Sequence, residues 1–107
     1  MNTKFYYNVI DVETGETTGF LATKRQRNEA QYVLTNIQPR SLNLAYNYAE
    51  IDLDTGECTG VMSSSFAKTG AQYIPIPSYN EDYLEKYYID GQWYEDAAGT
   101  IPWSPEA

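Results

Sequence analysis

Two stretches of the chain alternate hydrophobic and polar residues and then run into a short polar loop. In residues 5–12 (FYYNVIDV) and 46–53 (YNYAEIDL), Tyr, Ile, Val and Leu are spaced among polar side chains, a pattern typical of β-strands. Each stretch is followed by an acidic residue, a Thr and a Gly, the last being Gly15 or Gly56. Acidic residues and Thr suit turn positions, and Gly takes the left-handed position that closes a short hairpin with a bulge. The pattern therefore predicts hairpins centred near Gly15 and Gly56.

The two hairpins belong to a longer internal repeat. IDVETGETTG at residues 10–19 matches IDLDTGECTG at residues 51–60, with an offset of 41. After a divergent loop, AQYV at residues 30–33 matches AQYI at residues 71–74 with the same offset. A match that resumes beyond a loop indicates a duplicated structural unit rather than a single recurring turn.

The end of each unit could be helical or extended. Residues 24–37 (KRQRNEAQYVLTNI) would by themselves allow a short amphipathic helix. The equivalent residues 71–77 (AQYIPIP) contain two prolines, which exclude a helix there and favour an edge strand or a polyproline-like run. We therefore expect residues 32–37 to be extended as well.

The remainder of the chain predicts a third hairpin and an extended tail. A helix of one or two turns is expected between residues 80 and 86, with acidic residues near its start. Asp90 and Gly91 stand between two apolar pairs, a strong signal for a two-residue hairpin. The last residues, AAGTIPWSPEA, contain two prolines and Trp103, as expected of a strap laid across its own domain or a neighbour.

Together these elements predict a mainly β protein. We expect one compact antiparallel β domain, built from two hairpin-centred repeats (residues 1–41 and 42–82) and a C-terminal hairpin with an extended tail (residues 83–107). Leu, Ile, Val and Phe make up only 20 of the 107 residues and the net charge is −8, which approaches the composition of disordered proteins. Eleven Tyr and two Trp change that picture, because their rings supply apolar area with a polar handle. A folded domain with much of its Tyr at surfaces is the expectation.

The charge and the N-terminus limit the partners. A net charge of −8 argues against binding to nucleic acid, and the only basic cluster, Lys24, Arg25 and Arg27, is interpreted as a solvated loop rather than an anion or partner contact. The polar N-terminus predicts no signal peptide, and no segment has the apolar length for membrane insertion. We expect a protein kept in a cytosol or built into a particle that assembles there.

The residue types also limit the chemistry. The chain has no His and a single Cys, so a His-based general base, an intrachain disulfide and a Cys-based metal site are not expected. Cys58 is interpreted as a small strand residue, because the neighbouring Glu57 disfavours a reactive thiolate. We expect no enzyme activity and no cofactor.

Two acidic motifs suggest chemistry and are better explained as turns. Asp54 begins the Asp-Thr-Gly triplet of aspartic proteases, but those enzymes hold two close carboxylates in an apolar setting, whereas here Asp52, Asp54 and Glu57 crowd one loop. The same acids could attract calcium, but Gly56 stands where a ligand is needed, and the twelfth position of the loop is Ser instead of Glu. Both observations favour a solvated acidic turn.

The aromatic residues are the best candidates for a functional surface. They could either complete a thin core or contact another chain or a glycan, since aromatic rings dominate many interfaces. The strap is expected to bury Trp103 against another polypeptide. The candidate interface residues are Tyr46, Tyr48, Tyr87, Tyr88, Trp93, Tyr94 and Trp103.

Two stretches of the chain carry a family resemblance. YAEIDLDTGECTGV at residues 48–61, followed by YIPIPSYNEDYLEKYYIDGQWYED at residues 73–96, resembles a module of bacteriophage tail and tail-fibre proteins. The resemblance spans residues 46–96 and, more weakly, residues 5–37. It implies a non-enzymatic virion protein assembled in the bacterial cytoplasm, and it supplies no catalytic residues. The implied partners are other virion proteins, further copies of the chain and, as a candidate, a host surface glycan.

Two other functions remain open. The chain could decorate a capsid or form a head fibre. From a different class, it could be a small acidic inhibitor that occupies the basic groove of a host nucleic-acid enzyme. Such an inhibitor needs carboxylates aligned along one face. Here the sequence scatters them at turn tips, apart from the cluster of Glu81, Asp82 and Glu85.

Overall fold

The predicted β class is confirmed. The computed structural model describes residues 4–35 and 44–105, which form a six-stranded antiparallel sheet and a separate two-stranded hairpin. The strands are β1 (Phe5–Ile10), β2 (Thr17–Thr23), β3 (Tyr32–Thr35), β4 (Tyr46–Ile51), β5 (Cys58–Ser64), β6 (Tyr73–Pro75), β7 (Tyr87–Ile89) and β8 (Gln92–Tyr94). The only helix in the described residues is a 3-10 turn at Glu81–Tyr83, so none of them forms a helix able to cross a membrane.

The large sheet is built from the two repeats placed edge to edge. Its strand order is β3-β1-β2-β5-β4-β6, so each repeat contributes three neighbouring strands and the two halves meet where β2 pairs with β5. Leu21 pairs with Met62, its own equivalent at the offset of 41. The pairs on either side are equivalent to each other: Gly19 pairs with Ser64, and Gly60, the equivalent of Gly19, pairs with Thr23, the equivalent of Ser64. The repeats are therefore related by a local two-fold axis through the Leu21–Met62 pair, as in the self-complementary interface of a homodimer.

Both predicted repeat hairpins are confirmed, with matching geometry. Gly15 and Gly56 have φ angles of 78° and 80°, the left-handed conformation that a side chain disfavours. The backbone N–H of Asp11 donates to the carbonyl of Glu16 at 2.8 Å, and the equivalent bond begins at Asp52 with the same length. The two turns are thus copies of one another in structure as well as in sequence.

A β-bulge follows each turn. The pairing of β1 with β2 shifts between Val9 and Ile10, beside Gly19, and that of β4 with β5 shifts at the equivalent place, between Glu50 and Ile51. The hydroxyl of Thr18 donates to the carbonyl of Val9 at 3.2 Å, and the equivalent Thr59 makes the same bond in the second repeat at 3.3 Å. A Thr hydroxyl thus satisfies a carbonyl at the irregular point of each ladder.

The third strand of each repeat lies at an edge of the sheet. β3 is extended over residues 32–35, as its proline-bearing equivalent predicted, and residues 36 and 37 lie outside the described residues. β6 ends at Pro75 and occupies the opposite edge, the position predicted for a strand that contains proline.

One face of the sheet is covered by the loops that precede β3 and β6. The buried cluster on this face consists of Tyr7, Val9, Leu21 and Met62, and Tyr48, the equivalent of Tyr7, is also buried, beside Met62. The Tyr7 hydroxyl accepts the backbone N–H of Arg27 at 2.7 Å, and the Tyr48 hydroxyl accepts that of Lys68 at 3.0 Å. Each buried ring therefore fills the core and its hydroxyl holds down the loop above it.

The opposite face is covered by the C-terminal unit, residues 76–105. The core formed there consists of Ala49, Cys58, Val61, Ile76, Tyr83 and Leu84. The 3-10 turn begins where a short helix was predicted, with the Asn80 side chain accepting the backbone N–H of Asp82 at 2.9 Å. The third predicted hairpin is also confirmed, since β7 and β8 are joined by Asp90 and Gly91, both with positive φ.

Candidate functional site

The C-terminal unit attaches to the second repeat by adding a short extended segment to its hairpin. The backbone N–H of Cys58 donates to the carbonyl of Lys86, and that of Tyr88 to the carbonyl of Gly56, both at 2.8 Å. A third bond runs from the N–H of Glu85 to the carbonyl of Cys58 at 3.3 Å. Residues 85–88 therefore occupy the place beside β5 that β2 leaves free where it ends.

Four aromatic side chains pack together in the C-terminal unit and form the aromatic cluster: Tyr83, Tyr88, Trp93 and Trp103. The rings of Trp93 and Trp103 each meet Tyr83 edge-on with centroids 5.0 Å apart, and Tyr88 lies 5.0 Å from Trp93. The ammonium of Lys86 lies 5.3 Å from the centre of the Trp103 ring. Edge-to-face contacts of this kind stabilise aromatic pairs beyond the area they bury.

The position of Trp103 corrects one expectation. Its backbone N–H donates to the carbonyl of Trp93 at 3.0 Å, and its ring packs on Tyr83 of the same chain. The strap is laid across its own domain, so Trp103 needs no second polypeptide to contact its ring. Sequence reasoning named this arrangement as an alternative but could not locate Tyr83, which lies twenty residues earlier.

The predicted interface residues separate into three environments. Tyr48 is only 7% exposed and lies inside the chain's own fold, which corrects its assignment to an interface. Tyr46 is 43% exposed at the start of β4. The remaining five are partly exposed and gather on the C-terminal unit: Tyr87, Tyr88, Trp93, Tyr94 and Trp103.

A buried carboxylate joins the C-terminal unit to the first repeat. The Glu81 side chain accepts hydrogen bonds from the Lys4 ammonium and from the hydroxyls of Tyr6 and Tyr79, each at 3.0 Å. Burial alone would raise the pKa of Glu81, but these three donors outweigh it and hold the pKa below its ordinary value. Burial, followed by the bond to Glu81, raises the pKa of Tyr6 to about 12. Sequence reasoning saw Glu81 only as an acid near a helix start, because partners this distant leave no local signal.

A cleft of about 180 Å³ lies between the repeats and residue 85. Its lining residues are Lys24, Arg25, Glu57, Cys58, Thr59 and Glu85. Cys58 is 2% exposed, and burial raises the pKa of its thiol to about 12, so the group stays protonated and is a poor nucleophile. Two cations and two carboxylates line the cleft, and one of each, Lys24 and Glu85, form an ion pair at 3.2 Å.

The basic cluster does not form a solvated loop throughout. Arg25 is exposed, but Arg27 forms an ion pair with Glu50 of the second repeat, and both side chains are largely shielded from water. The interpretation of the cluster as a solvated loop is therefore wrong for Arg27. Its guanidinium ties the loop of one repeat to a strand of the other.

Acidic residues at the hairpin tips accept hydrogen bonds from the backbone of their own turns. Asp54 is exposed, and its backbone N–H donates to the Asp52 carboxylate at 2.8 Å, as the N–H of Glu13 does to Asp11. Solvent rather than an apolar pocket surrounds Asp54, a setting unlike that of paired protease carboxylates. Within residues 4–35 and 44–105, no three His, Cys, Asp or Glu side chains come together as metal ligands.

Comparison with protein-family models, curated proteins and solved structures gave no significant match. The resemblance to phage tail modules therefore depends on the residues quoted for it, 48–61 and 73–96.

Proposed function

We propose that the chain is a non-enzymatic bacteriophage virion protein, a component of the tail or tail fibres that mediates assembly or host attachment. The observation that carries the proposal is the gathering of five partly exposed aromatic side chains on the C-terminal unit. Other virion proteins, further copies of the chain or a host surface glycan are the partners that such a surface suits.

Contacts within the C-terminal unit hold several of these rings in place. Tyr83 is buried, and Trp93 and Trp103 pack against it, so the partly exposed rings have a rigid support. Rings fixed before binding lose little conformational entropy when a partner covers them, and Trp and Tyr are over-represented among the residues that dominate interface energetics. Ile101, 51% exposed, adds an aliphatic side chain to the same unit.

The placement of the charged groups favours this proposal over the acidic inhibitor. Glu81 is occupied by Lys4 and two tyrosines, and Glu50 by Arg27. The Asp96 carboxylate accepts the backbone N–H groups of Thr100 and Ile101 and so holds the strap's own turn. These three carboxylates are engaged within the fold and cannot stand in for phosphates, and the exposed Asp54 and Glu13 lie at separate hairpin tips.

The proposal is tested by mass spectrometry of gradient-purified, salt-washed particles of the phage that encodes the sequence. We expect peptides of this chain at a constant ratio to known tail proteins. Their presence in infected cells but absence from particles would contradict the proposal, and co-purification with a host nucleic-acid enzyme would favour the inhibitor instead.

A pair of matched variants tests the surface. Replacing Tyr87 and Tyr94 together by Ala should reduce incorporation into particles while Tyr83, Trp93 and Trp103 keep the unit folded. Leu34→Ala, which removes an apolar side chain that is 51% exposed on β3 and therefore more accessible than either Tyr, is the control and should incorporate normally. Equal incorporation of both variants would exclude the aromatic surface as the contact.

A further inference from the structure

The two hairpins are equivalent in geometry but differ in what lies beside them. A Cβ atom added at Gly56 would stand 2.6 Å from the carbonyl oxygen of Tyr88, whereas one added at Gly15 would have no atom within 4 Å. Because the backbone conformations of the two glycines are nearly identical, the close contact at Gly56 must come from a neighbouring segment that only the second hairpin has.

The neighbour is the segment 85–88, and its absence leaves defined backbone groups open on the first hairpin. In the second repeat, Cys58 uses its N–H and its carbonyl, and Gly56 its carbonyl, to hold that segment. The equivalent groups in the first repeat belong to Thr17 and Gly15, which are exposed and face no added strand among the described residues.

The open space next to β2 arises in the same way as the space next to β5 that residues 85–88 fill. β2 ends at Thr23 and its chain leaves the sheet through two bend residues, which makes room for residues 85–88 next to β5. β5 ends at the equivalent Ser64 and leaves through the equivalent bend, which makes the same room next to β2. An open row of N–H and C=O groups at a strand edge is a template for another strand.

We propose that the edge formed by Gly15–Thr17 accepts an extended segment of a partner polypeptide as an added antiparallel strand, in the way that Gly56–Cys58 accepts residues 85–88 of its own chain. The partner segment is basic and carries apolar side chains. This edge is a second contact surface, distinct from the aromatic one, and its proposed role does not depend on the assignment to a phage particle.

The charge of the partner follows from the side chains around the open edge. Glu13, Glu16 and Val12 are exposed at the turn, and Val12 is 62% exposed. Phe66, also 62% exposed, lies in the bend after β5 and follows Ser65, whose N–H donates to the Thr18 carbonyl at 2.9 Å, so Phe66 lies at the border of the open space next to β2. Exposed carboxylates favour lysine or arginine, and exposed apolar side chains favour an apolar residue on the incoming strand.

The occupied site shows why a copy of the chain's own acidic segment is not the partner. There, Glu85 pairs with Lys24 at 3.2 Å, and Arg25 also lines the cleft. At the open site the equivalents of these two cations are Ser65 and Phe66, so an acidic strand would find no counter-charge. A net charge of −8 further disfavours pairing between two copies at this edge.

The test uses a peptide derived from the chain's own strand. The probe is acetyl-Leu-Lys-Lys-Tyr-Tyr-Ile-amide, which is residues 84–89 with Glu85 replaced by Lys. Titrated into the ¹⁵N-labelled protein, it should shift the amide signals of residues 15–17. The same peptide with an N-methyl group on its second Tyr, the position that donates to Gly56 in the native segment, should bind at least about fivefold more weakly, since one hydrogen bond is lost.

Protein variants supply the matched controls. Glu13→Lys should weaken binding of the basic probe, whereas Asp54→Lys, the equivalent charge change at the occupied hairpin, should not. Thr17→Pro removes the open N–H and should also weaken binding, with the N-methylated peptide as an independent check should that variant fail to fold.

Three results would overturn the proposal. The first is equal binding of the methylated and unmethylated peptides, and the second is a response centred on residues 56–58 instead of 15–17. The third is a concentration-dependent shift of residues 15–17 without peptide, which would identify a second copy as the occupant and refute the charge argument.

Discussion

Alanine substitution at the two turn glycines distinguishes the free-energy cost of local backbone strain from the cost of loosening the C-terminal unit. Gly15 and Gly56 share a left-handed backbone, so Ala at either position is disfavoured to the same extent. Only at Gly56 does the added Cβ also meet the backbone oxygen of Tyr88, at 2.6 Å. Because that oxygen is part of the main chain, segment 85–88 must shift to relieve the contact.

The expected magnitudes differ by more than the error of measurement. The left-handed conformation costs an alanine roughly 1–2 kcal/mol, slightly offset by the reduced freedom of the unfolded chain, so Gly15→Ala should destabilise by about 1 kcal/mol. Displacing residues 85–88 weakens three backbone hydrogen bonds, each contributing about 1 kcal/mol net. Gly56→Ala should therefore destabilise by about 3–4 kcal/mol.

Urea denaturation of the two variants and the parent protein measures the difference, and thermal melting checks it. For a domain of this size, 1 kcal/mol corresponds to a shift of about 4–8 °C in Tm, so the variants should be well resolved. If their free energies of unfolding agree within about 0.5 kcal/mol, the close contact between Gly56 and Tyr88 does not hold the C-terminal unit in place as described.

Three further predictions follow from the C-terminal unit and its contacts. Trp103→Ala should lower the stability of the isolated protein by about 2 kcal/mol in thermal or urea melts, because its ring packs on Tyr83; an unchanged Tm would mean that the strap does not close its own domain. The Cys58 thiol, buried and with its pKa raised to about 12, should resist a disulfide reagent at pH 8 until the protein unfolds, and rapid labelling of the native state would contradict its burial. Because the pKa of Glu81 is lowered on folding, its contribution to stability is complete above its ordinary value of 4.5 and is lost as the pH falls through the lowered value. Urea titrations from pH 7 to pH 2 should show that loss in the parent and a smaller one in Glu81→Gln, whereas identical profiles would exclude Glu81 as its source.

The hairpins could be predicted because their signals are local. Gly15 and Gly56 follow turn-favouring residues, and the offset of 41 allowed the prolines of one repeat to exclude a helix in the other. The strand order could not be predicted. Pairing Leu21 with Met62 depends on which edges meet after both repeats have formed, and residues far apart in sequence leave no periodic pattern for such a choice.

The candidate surface was predicted only in part, for a similar reason. A Tyr in a strand suits either a core or an interface, and what decides for Tyr48 is the loop whose Lys68 donates to its hydroxyl. Likewise, Glu81 became a buried carboxylate because Lys4 and Tyr6, at the other end of the chain, donate to it. Such environments are set by tertiary contacts, which composition and spacing do not contain.

The central claim is that duplication builds two equivalent hairpin edges and that the C-terminal unit closes only one of them. Amide hydrogen exchange measured by NMR on the isolated protein tests it residue by residue. The Cys58 and Tyr88 amides, which bond across the closed edge, should be strongly protected, while the Thr17 amide at the open edge should exchange close to its unprotected rate. Comparable protection of Thr17 and Cys58, or fast exchange at both, would contradict the account.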